Sequence, residues 1–310
     1  MRNVVLLFPV TIVCFFYLDA GVETYYKPAI NKPEQNGIGN IDFIYVINLD
    51  QRPEKFERTK NSLEPYGIVP YRFSAVNGWQ LPNKAFDELG VIYEPWMPHG
   101  PICTVYRHEP DGTEYISHEI MKQEGIAYYG HCLSRGAIGC LLSHLSILQD
   151  AYDSGYKTIW IMEDDIKVVR DPNELSFILT GLNRQVPDWD ILFTDNEIKG
   201  GDGKPVPCTV IRPRPLVRMQ SLEYYLYRRP INSDITKIGM RFGSASMIIN
   251  RSGIEKLLDY FSSYKIYFPY DIEYFLVPGI NLYACNRDIV TNIYGGDSDN
   301  GAPNYLLKTP

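Results

Sequence analysis

The chain has 310 residues, 45% of them hydrophobic, enough for one large core or two small ones. A formal net charge of −7, with no Lys/Arg run longer than a pair, excludes the broad basic surface of a nucleic-acid binder. Its six cysteines, Cys14, Cys103, Cys132, Cys140, Cys208 and Cys285, form no CxxC and no Cys/His group of zinc spacing, which excludes a dense disulfide framework and a zinc ribbon.

In chain order, Arg2 precedes an uncharged apolar run from Val4 to Leu18. This is shorter than the roughly 20 residues that span a bilayer and matches the apolar region of an export signal, with Asp19-Ala20-Gly21 as an imperfect cleavage site. Residues 1–20 are therefore expected to export the chain or anchor it to a membrane, with a cytoplasmic location as the alternative. Residues 21–39, rich in Pro, Gly and polar side chains, read as a linker, and a single domain is expected over 40–310. "IDFIYVINL", 41–49, predicts a buried strand. Asp50 to Pro53 turns the chain into a helix that runs to about Tyr66 and stops at Gly67. "IVPYRFSAVNG", 68–78, predicts a second strand, so strand, helix and strand form the unit of a parallel sheet.

Residues 80–130 read as an irregular insertion. Over 136–155, Ile138, Leu141, Leu142, Leu145, Leu148 and Tyr152 recur at helical spacing, and Gly155 ends the run. A strand at 158–162 follows, then a helix start with Asp171 as N-cap and Pro172 in its first position. Further strands are expected at 189–195 and 243–250, with a short helix at 252–262. "KGGDGKPVP", 199–207, lacks the Ser/Thr of a P-loop and reads as a surface loop. The fold class is α/β, an open, mostly parallel sheet flanked by helices. In such sheets ligands collect beyond the carboxyl ends of the strands, where Asn48, Asn77, Glu163 and Asp195 would share one rim.

The most pointed motif is "IWIMEDD", 159–165, an apolar strand that runs into three consecutive acids. Such a cluster gains from a helix terminus, an arginine or a metal ion. The next helix start already has a cap of its own. Hard cations such as Mn²⁺ and Mg²⁺ take oxygen ligands, usually one or two carboxylates together with substrate phosphates, and this strand end offers that half-shell.

Three ordered blocks carry a resemblance: "FIYVINLDQRPEKFERTKNSLEPYGI…YRFSAVNG", "GAIGCLLSHLSILQDAYDSGYKTIWIMEDD" and "GSASMIINRSGIEKLLDYF". Together they resemble glycosyltransferase family 25, which includes lipooligosaccharide and procollagen galactosyltransferases. The resemblance implies a GT-A-like fold, a UDP-sugar donor (often UDP-galactose), a saccharide or glycoprotein acceptor, a divalent cation and inversion at the anomeric carbon. Carried over to this chain, it implies that Asn48, Leu49, Arg52, Asn77, Gly78, Ser143, His144, Glu163 and Asp164 face the nucleotide-sugar. Asn77 stands where the family commonly has Asp. Asp165, with Asp164, is implied to hold the metal.

An inverting transfer also needs a base for the acceptor hydroxyl. "FPYDIEYF", 268–275, offers Asp271 and Glu273, which would face one side of an extended segment, with Asp271 favoured by its rigid Pro269 entry and Asp195 next in line. "GGDSDNG", 295–301, reads as a surface turn from which Asp297 or Asp299 could close over a metal. The competing reading is a non-catalytic carbohydrate-binding surface protein that keeps the fold. A phosphohydrolase lacks its Asp-x-Asp in "EDDIKVV", and a dehydrogenase lacks the full GxGxxG at Gly136-x-x-Gly139.

Overall fold

A computed structural model describes residues 21–34, 38–109, 111–209, 211–293, 295 and 297–307. The expected signal or anchor, residues 1–20, lies outside them. β1 (Phe43–Asn48) is buried along its whole length, as its β-branched and aromatic run predicts. α1 (Pro53–Leu63) opens on Pro53 with Glu54 in its first turn, tightens into a 3-10 turn, and ends at Gly67 in the left-handed region. The second strand is shorter than its sequence suggests. β2 covers only Tyr71–Ser74, because Pro70 has no N–H to give a ladder and residues 75–78 turn away onto a helix.

The stretch 80–130 is more regular than expected. α2 (Asn83–Leu89) precedes a small antiparallel sheet of β3 (Val91–Ile92), β4 (Ile102–His108), β5 (Glu114–Ile120) and β6 (Ala127–Gly130), in the order β3-β6-β4-β5. The edge strand β5 is exposed on both faces, so it never shows the apolar alternation by which strands are read.

α3 (Arg135–Asp153) is capped by Ser134, whose Oγ accepts from the Ala137 N–H at 3.1 Å. Its apolar stripe is buried as predicted, except that Tyr152 lies exposed beneath the Arg251 guanidinium. β7 (Thr158–Glu163) and β8 (Ile166–Val168) flank the acidic turn. α4 (Glu174–Gln185) starts three residues beyond the expected Asp171 cap. Asp171 instead accepts from the Asn173 N–H at 2.9 Å in a turn that leads into the helix. The rest of the chain is β9 (Ile191–Phe193), α5 (Leu222–Leu226), β10 (Arg228–Pro230), β11 (Ile235–Ile238), β12 (Ser246–Asn250), α6 (Arg251–Tyr264), α7 (Tyr270–Glu273), β13 (Leu282–Cys285) and β14 (Val290–Asn292).

The main sheet has eight strands in the order β10-β11-β13-β9-β12-β7-β1-β2. β1, β2, β7, β9, β13 and β10 point one way, and only β12 and β11 oppose them. This is the open, mostly parallel sheet of the predicted α/β class. Its faces bury separate clusters: Phe43, Tyr45 and Ile47 on one side, Ile44 and Val46 on the other. The carboxyl ends of β1, β2 and β7 meet on one rim.

Residues 22–34, expected as linker, pack onto this body. Val22 is buried, Lys27 Nζ donates to Ser74 Oγ at 2.7 Å, and Lys32 pairs with Asp150 at 2.9 Å. Val22, the partly buried Tyr25, Tyr26 and Ala29, and two lysines anchor a segment whose composition alone suggests a spacer. No disulfide joins the five described cysteines to one another. No described helix is long and apolar enough to cross a membrane.

Candidate active site

The site grows from the end of β7. Glu163 closes the strand, Asp164 and Asp165 make the turn, and the chain returns as β8 paired antiparallel with β14. The Ile293 N–H holds the Asp165 carbonyl at 2.6 Å, so the C-terminal strand fixes the turn. Glu163 Oε1 accepts from Ser244 Oγ at 2.6 Å and lies 3.5 Å from His144 Nε2. Burial alone would raise the Glu163 carboxyl, but His144 and Ser244 outweigh it and keep Glu163 below the ordinary value.

Asp164 and Asp165 go the other way. Burial first, then the neighbouring carboxylates, raise Asp165 to about 7. Burial raises Asp164 to about 6, opposed by Lys55 and Asn48. Asn48 is a buried hub. Its Nδ2 donates to Asp164 Oδ2 at 2.6 Å and to the Arg52 carbonyl at 2.8 Å, while Arg72 Nε donates to its Oδ1 at 2.7 Å. Asp165 Oδ1 is buried with no hydrogen-bond partner among the described residues.

Two cavities meet at these acids. The first, with about 620 Å³ of empty volume, is walled by Leu49, Lys55, the Asn77–Trp79 loop, the start of α3 and Asp299. The second, about 610 Å³, is lined by Gly243, Ser244, Tyr270, Asp271 and Asn292. Glu163, Asp165, Cys140 and Asn300 line both. A wall shared in this way suits a reaction that brings two ligands to one point.

The structure sorts the predicted residues. Leu49, Asn77, Gly78, Ser143, Glu163, Asp164 and Asp165 line the first cavity, and Asp271 lines the second. Gly78 is there through backbone packing. A Cβ at this position would lie 1.8 Å from the Arg135 carbonyl oxygen, so only glycine lets the loop ride on α3. Asn77 caps the Gly78–Gln80 turn and donates to the Tyr305 hydroxyl at 3.0 Å. Ser143 is buried, accepting from the Val76 N–H at 2.8 Å and donating to the Gly139 carbonyl, and so ties that loop to α3. His144 is fully buried and stacked on Tyr270 at 4.2 Å; among the described residues neither ring nitrogen makes a hydrogen bond, and Nε2 lies 3.5 Å from Glu163 Oε1. Arg52 is also buried, in a two-pronged pair with Asp299 at 2.8 and 2.9 Å, and it supports the rim from behind.

Glu273 is not in the cleft. Residues 270–273 form a helical turn rather than an extended segment, so positions two apart point to different sides. Glu273 is fully buried and accepts from Arg214 Nε at 2.9 Å, Tyr260 at 2.7 Å and the N–H groups of Tyr267 and Phe268. Its arginine partner is Arg214. Arg241 pairs instead with Asp195, which also accepts from Thr291 and is likewise held in the core. Asp271 faces the cavity. Its Oδ2 accepts from the Gly243 N–H at 3.1 Å, and burial raises its carboxyl above the ordinary value.

Three contributors were not singled out as site residues from the sequence, and a fourth, Asp299, was named only as an acid of a surface turn that could close over a metal. Lys55 Nζ lies 4.0 Å from Asp164 Oδ1 and 3.8 Å from Asp299 Oδ2. Its signal was its place one helical turn past Asp50-Gln51-Arg52. Trp79 donates from Nε1 to the Asp299 carbonyl at 2.8 Å, and Ser244 holds Glu163. Asp299, read as part of a surface turn, is buried on Arg52, a contact 247 residues away that no local pattern announces. Cys140, His144 and Glu163 bring sulfur, nitrogen and oxygen within 4.8 Å of one another. Burial raises the Cys140 thiol well above its ordinary value, so this mixed set suits a hard cation less than the carboxylates do.

Comparison with known proteins agrees with this geometry. The chain is 28% identical over 171 residues to a glycosyltransferase 25 family member of Drosophila pseudoobscura pseudoobscura, a match covering 54% of this chain and 22% of that protein. It is 25% identical over 162 residues to procollagen galactosyltransferase 1 of Danio rerio, covering 52% and 22%. It is 26% identical over 153 residues to inactive glycosyltransferase 25 family member 3 of Homo sapiens, covering 49% and 21%. The matched stretch thus spans less than a quarter of these relatives' length. The profile described as glycosyltransferase family 25 (LPS biosynthesis protein) matches residues 41–273, from the first residues before β1 to the end of α7. With the acidic turn, the Asn48 hub and both cavities built almost wholly from that stretch, the chain belongs to glycosyltransferase family 25.

Proposed function

We propose that the chain transfers galactose from UDP-galactose to a hydroxyl of a saccharide or glycoprotein acceptor, with inversion and with a divalent cation, Mn²⁺ or Mg²⁺, held by Asp164 and Asp165. The observation that carries this reading is the meeting of two cavities at Glu163 and Asp165. An inverting displacement needs the acceptor hydroxyl and the leaving diphosphate on opposite sides of the donor's anomeric carbon, and two pockets with a common acidic wall are compatible with that arrangement.

The cation has support in the residues themselves. Asp165 Oδ1 is a buried oxygen without a hydrogen-bond partner among the described residues, and burial first, then neighbouring carboxylates, raises both aspartates. A bound cation removes both penalties. When bound, it supplies Lewis-acid neutralisation of the diphosphate leaving group. The chain's own groups do the rest. Asn48 orients Asp164, and Lys55 adds positive charge beside it. Leu49 and the Asn77–Trp79 loop enclose the nucleotide-sugar. Asp271 takes the acceptor hydroxyl's proton as its oxygen bonds to the anomeric carbon and the carbon–phosphate oxygen bond breaks. Its raised affinity for a proton suits that role. Residues 1–20 export or anchor this domain.

The test is a donor screen. Purified chain is incubated with UDP-galactose, UDP-glucose and UDP-N-acetylglucosamine, with and without Mn²⁺, and UDP release is measured. Release from UDP-galactose that depends on Mn²⁺ and fails in Asp165→Asn supports the reading. A Tm raised by UDP-sugar without any UDP release favours the alternative, a non-catalytic carbohydrate-binding surface protein; a relative named inactive is a precedent for the loss of catalysis alone. Neither response, in a folded chain, overturns both.

A further inference from the structure

We propose that His118, His131 and Cys132 form a second metal site, on the insertion sheet, for a borderline-soft divalent cation of the zinc class. One ligand atom from each of the three lies within 4.8 Å of the other two. Two ligands of a tetrahedral zinc, at about 2.1 and 2.3 Å from the metal, stand roughly 3.5 Å apart, so small side-chain rotations close the set. Two imidazoles and a thiolate are a zinc donor set, whereas Mn²⁺ and Mg²⁺ favour the carboxylates of the cleft.

The ligands converge through the fold. His118 lies on β5 and the other two just beyond β6, and β4 runs between those strands. Thr104, buried on β4, touches both arms. Its Oγ accepts from the Cys132 N–H at 2.8 Å and meets His118 Nδ1 at 3.3 Å. With Nδ1 engaged there, His118 keeps Nε2 for a metal, the usual way a neighbouring group fixes a ligand's tautomer. An extended chain would send the neighbours His131 and Cys132 to opposite sides. Cys132 instead has φ +65°, a left-handed backbone that a non-glycine residue rarely adopts, and its thiol and the His131 ring come together. The two imidazole rings lie edge to face at 4.7 Å. All three residues are exposed, so the cation can enter from solvent and a fourth ligand position stays open to water.

Binding releases the Cys132 thiol proton to solvent and joins β5 to the segment that enters α3. Ser134, two residues on, caps that helix, and its first turn lines the donor cavity at Gly136.

The test uses the full purified chain, stripped with chelator and titrated with Co²⁺ as the probe. Expected are one Co²⁺ site with the intense visible d–d bands of low coordination, a near-ultraviolet thiolate-to-cobalt absorption, and displacement of both by Zn²⁺, whereas Co²⁺ on the carboxylates of the cleft gives only weak bands. The Cys132→Ser variant should lose the charge-transfer band, and His118→Ala and His131→Ala should lose the d–d bands. Thr104→Val should weaken binding by about 10–100-fold, as loss of a ligand's orienting partner does. Asp165→Asn, in the cleft, should leave all of these signals intact. A charge-transfer band that survives Cys132→Ser, or cobalt bands lost in Asp165→Asn but kept in the histidine variants, would overturn the site. So would a chain, shown folded by circular dichroism, that yields no cobalt bands at all.

Discussion

The acids at the end of β7 are half-buried and Glu273 on α7 is fully buried, but it is their surroundings that answer them most differently. Glu273 has a donor for every direction: a guanidinium, a phenol and two backbone N–H groups. Asp165 has a buried oxygen with no donor among the described residues and two carboxylates as neighbours. A fully satisfied buried carboxylate holds a fold together, whereas one left open in a crowd of like charge stores a demand for a cation. The contrast separates two kinds of buried acid more sharply than their exposure does. Asp271 stands between them, with one backbone donor and a face toward the second cavity.

The largest effect should come from removing the open acid. In Asp165→Asn, transfer should fall by about 10⁴-fold or more, the loss expected when several kcal/mol of leaving-group stabilisation disappear, while Tm holds or rises. Chelator should have the same effect on the wild type. An unfolded Asp165→Asn would erase the contrast with Glu273. Next comes Asp271→Asn, for which turnover should drop by about 10²–10⁴-fold, the usual range for a lost general base. UDP-sugar affinity, measured by calorimetry, should stay near wild type, because the base does not touch the nucleotide. An equal loss in affinity and turnover would move Asp271 to the donor side.

The Glu273→Ala variant should do the opposite of Asp165→Asn. It strands the Arg214 guanidinium in the core and should lower unfolding free energy by about 3–5 kcal/mol in urea titrations. The molecules that remain folded should keep their turnover. The smallest effect concerns pH. Asp165 at about 7 and Asp164 at about 6 both stand above the ordinary Asp value of about 3.9 expected in the unfolded chain. The folded protein therefore holds more protons across that interval. The stability these two groups lend is complete below about pH 4 and is lost as pH rises through about 7. Without added cation, wild-type Tm should fall by about 4–8 °C more than that of Asp165→Asn between about pH 5 and pH 8, which corresponds to roughly 2 kcal/mol in a domain of this size. Mn²⁺ should restore Tm at the higher pH and do little at the lower one.

Much of the frame was legible in the residues. β1 and β7 are runs whose β-branched and aromatic content suits few places other than a sheet interior, and α3 carries its cap, its stripe and its stop within one stretch. The three acids announced a site because they break an apolar strand abruptly. The insertion sheet was not legible, since the exposed edge strand β5 has no apolar face to give it a period.

By itself, then, the sequence determined where the sheet's central strands lie along the chain and the acidic turn at the end of one of them, all of which follow from side chains that are neighbours along the chain, whereas the reversed direction of β12 does not. Only the tertiary structure decided which acids are open and which are spoken for. Asp271 and Glu273 are two residues apart and similar in chemistry, but one helical turn sends the first toward a cavity and the second onto Arg214. Asp299 was settled by Arg52, 247 residues away, and the His118, His131 and Cys132 cluster by strands on either side of β4. A carboxylate's charge, its affinity for a proton and its use depend on burial and on the partners that burial supplies, and those partners come from parts of the chain that only folding brings within reach.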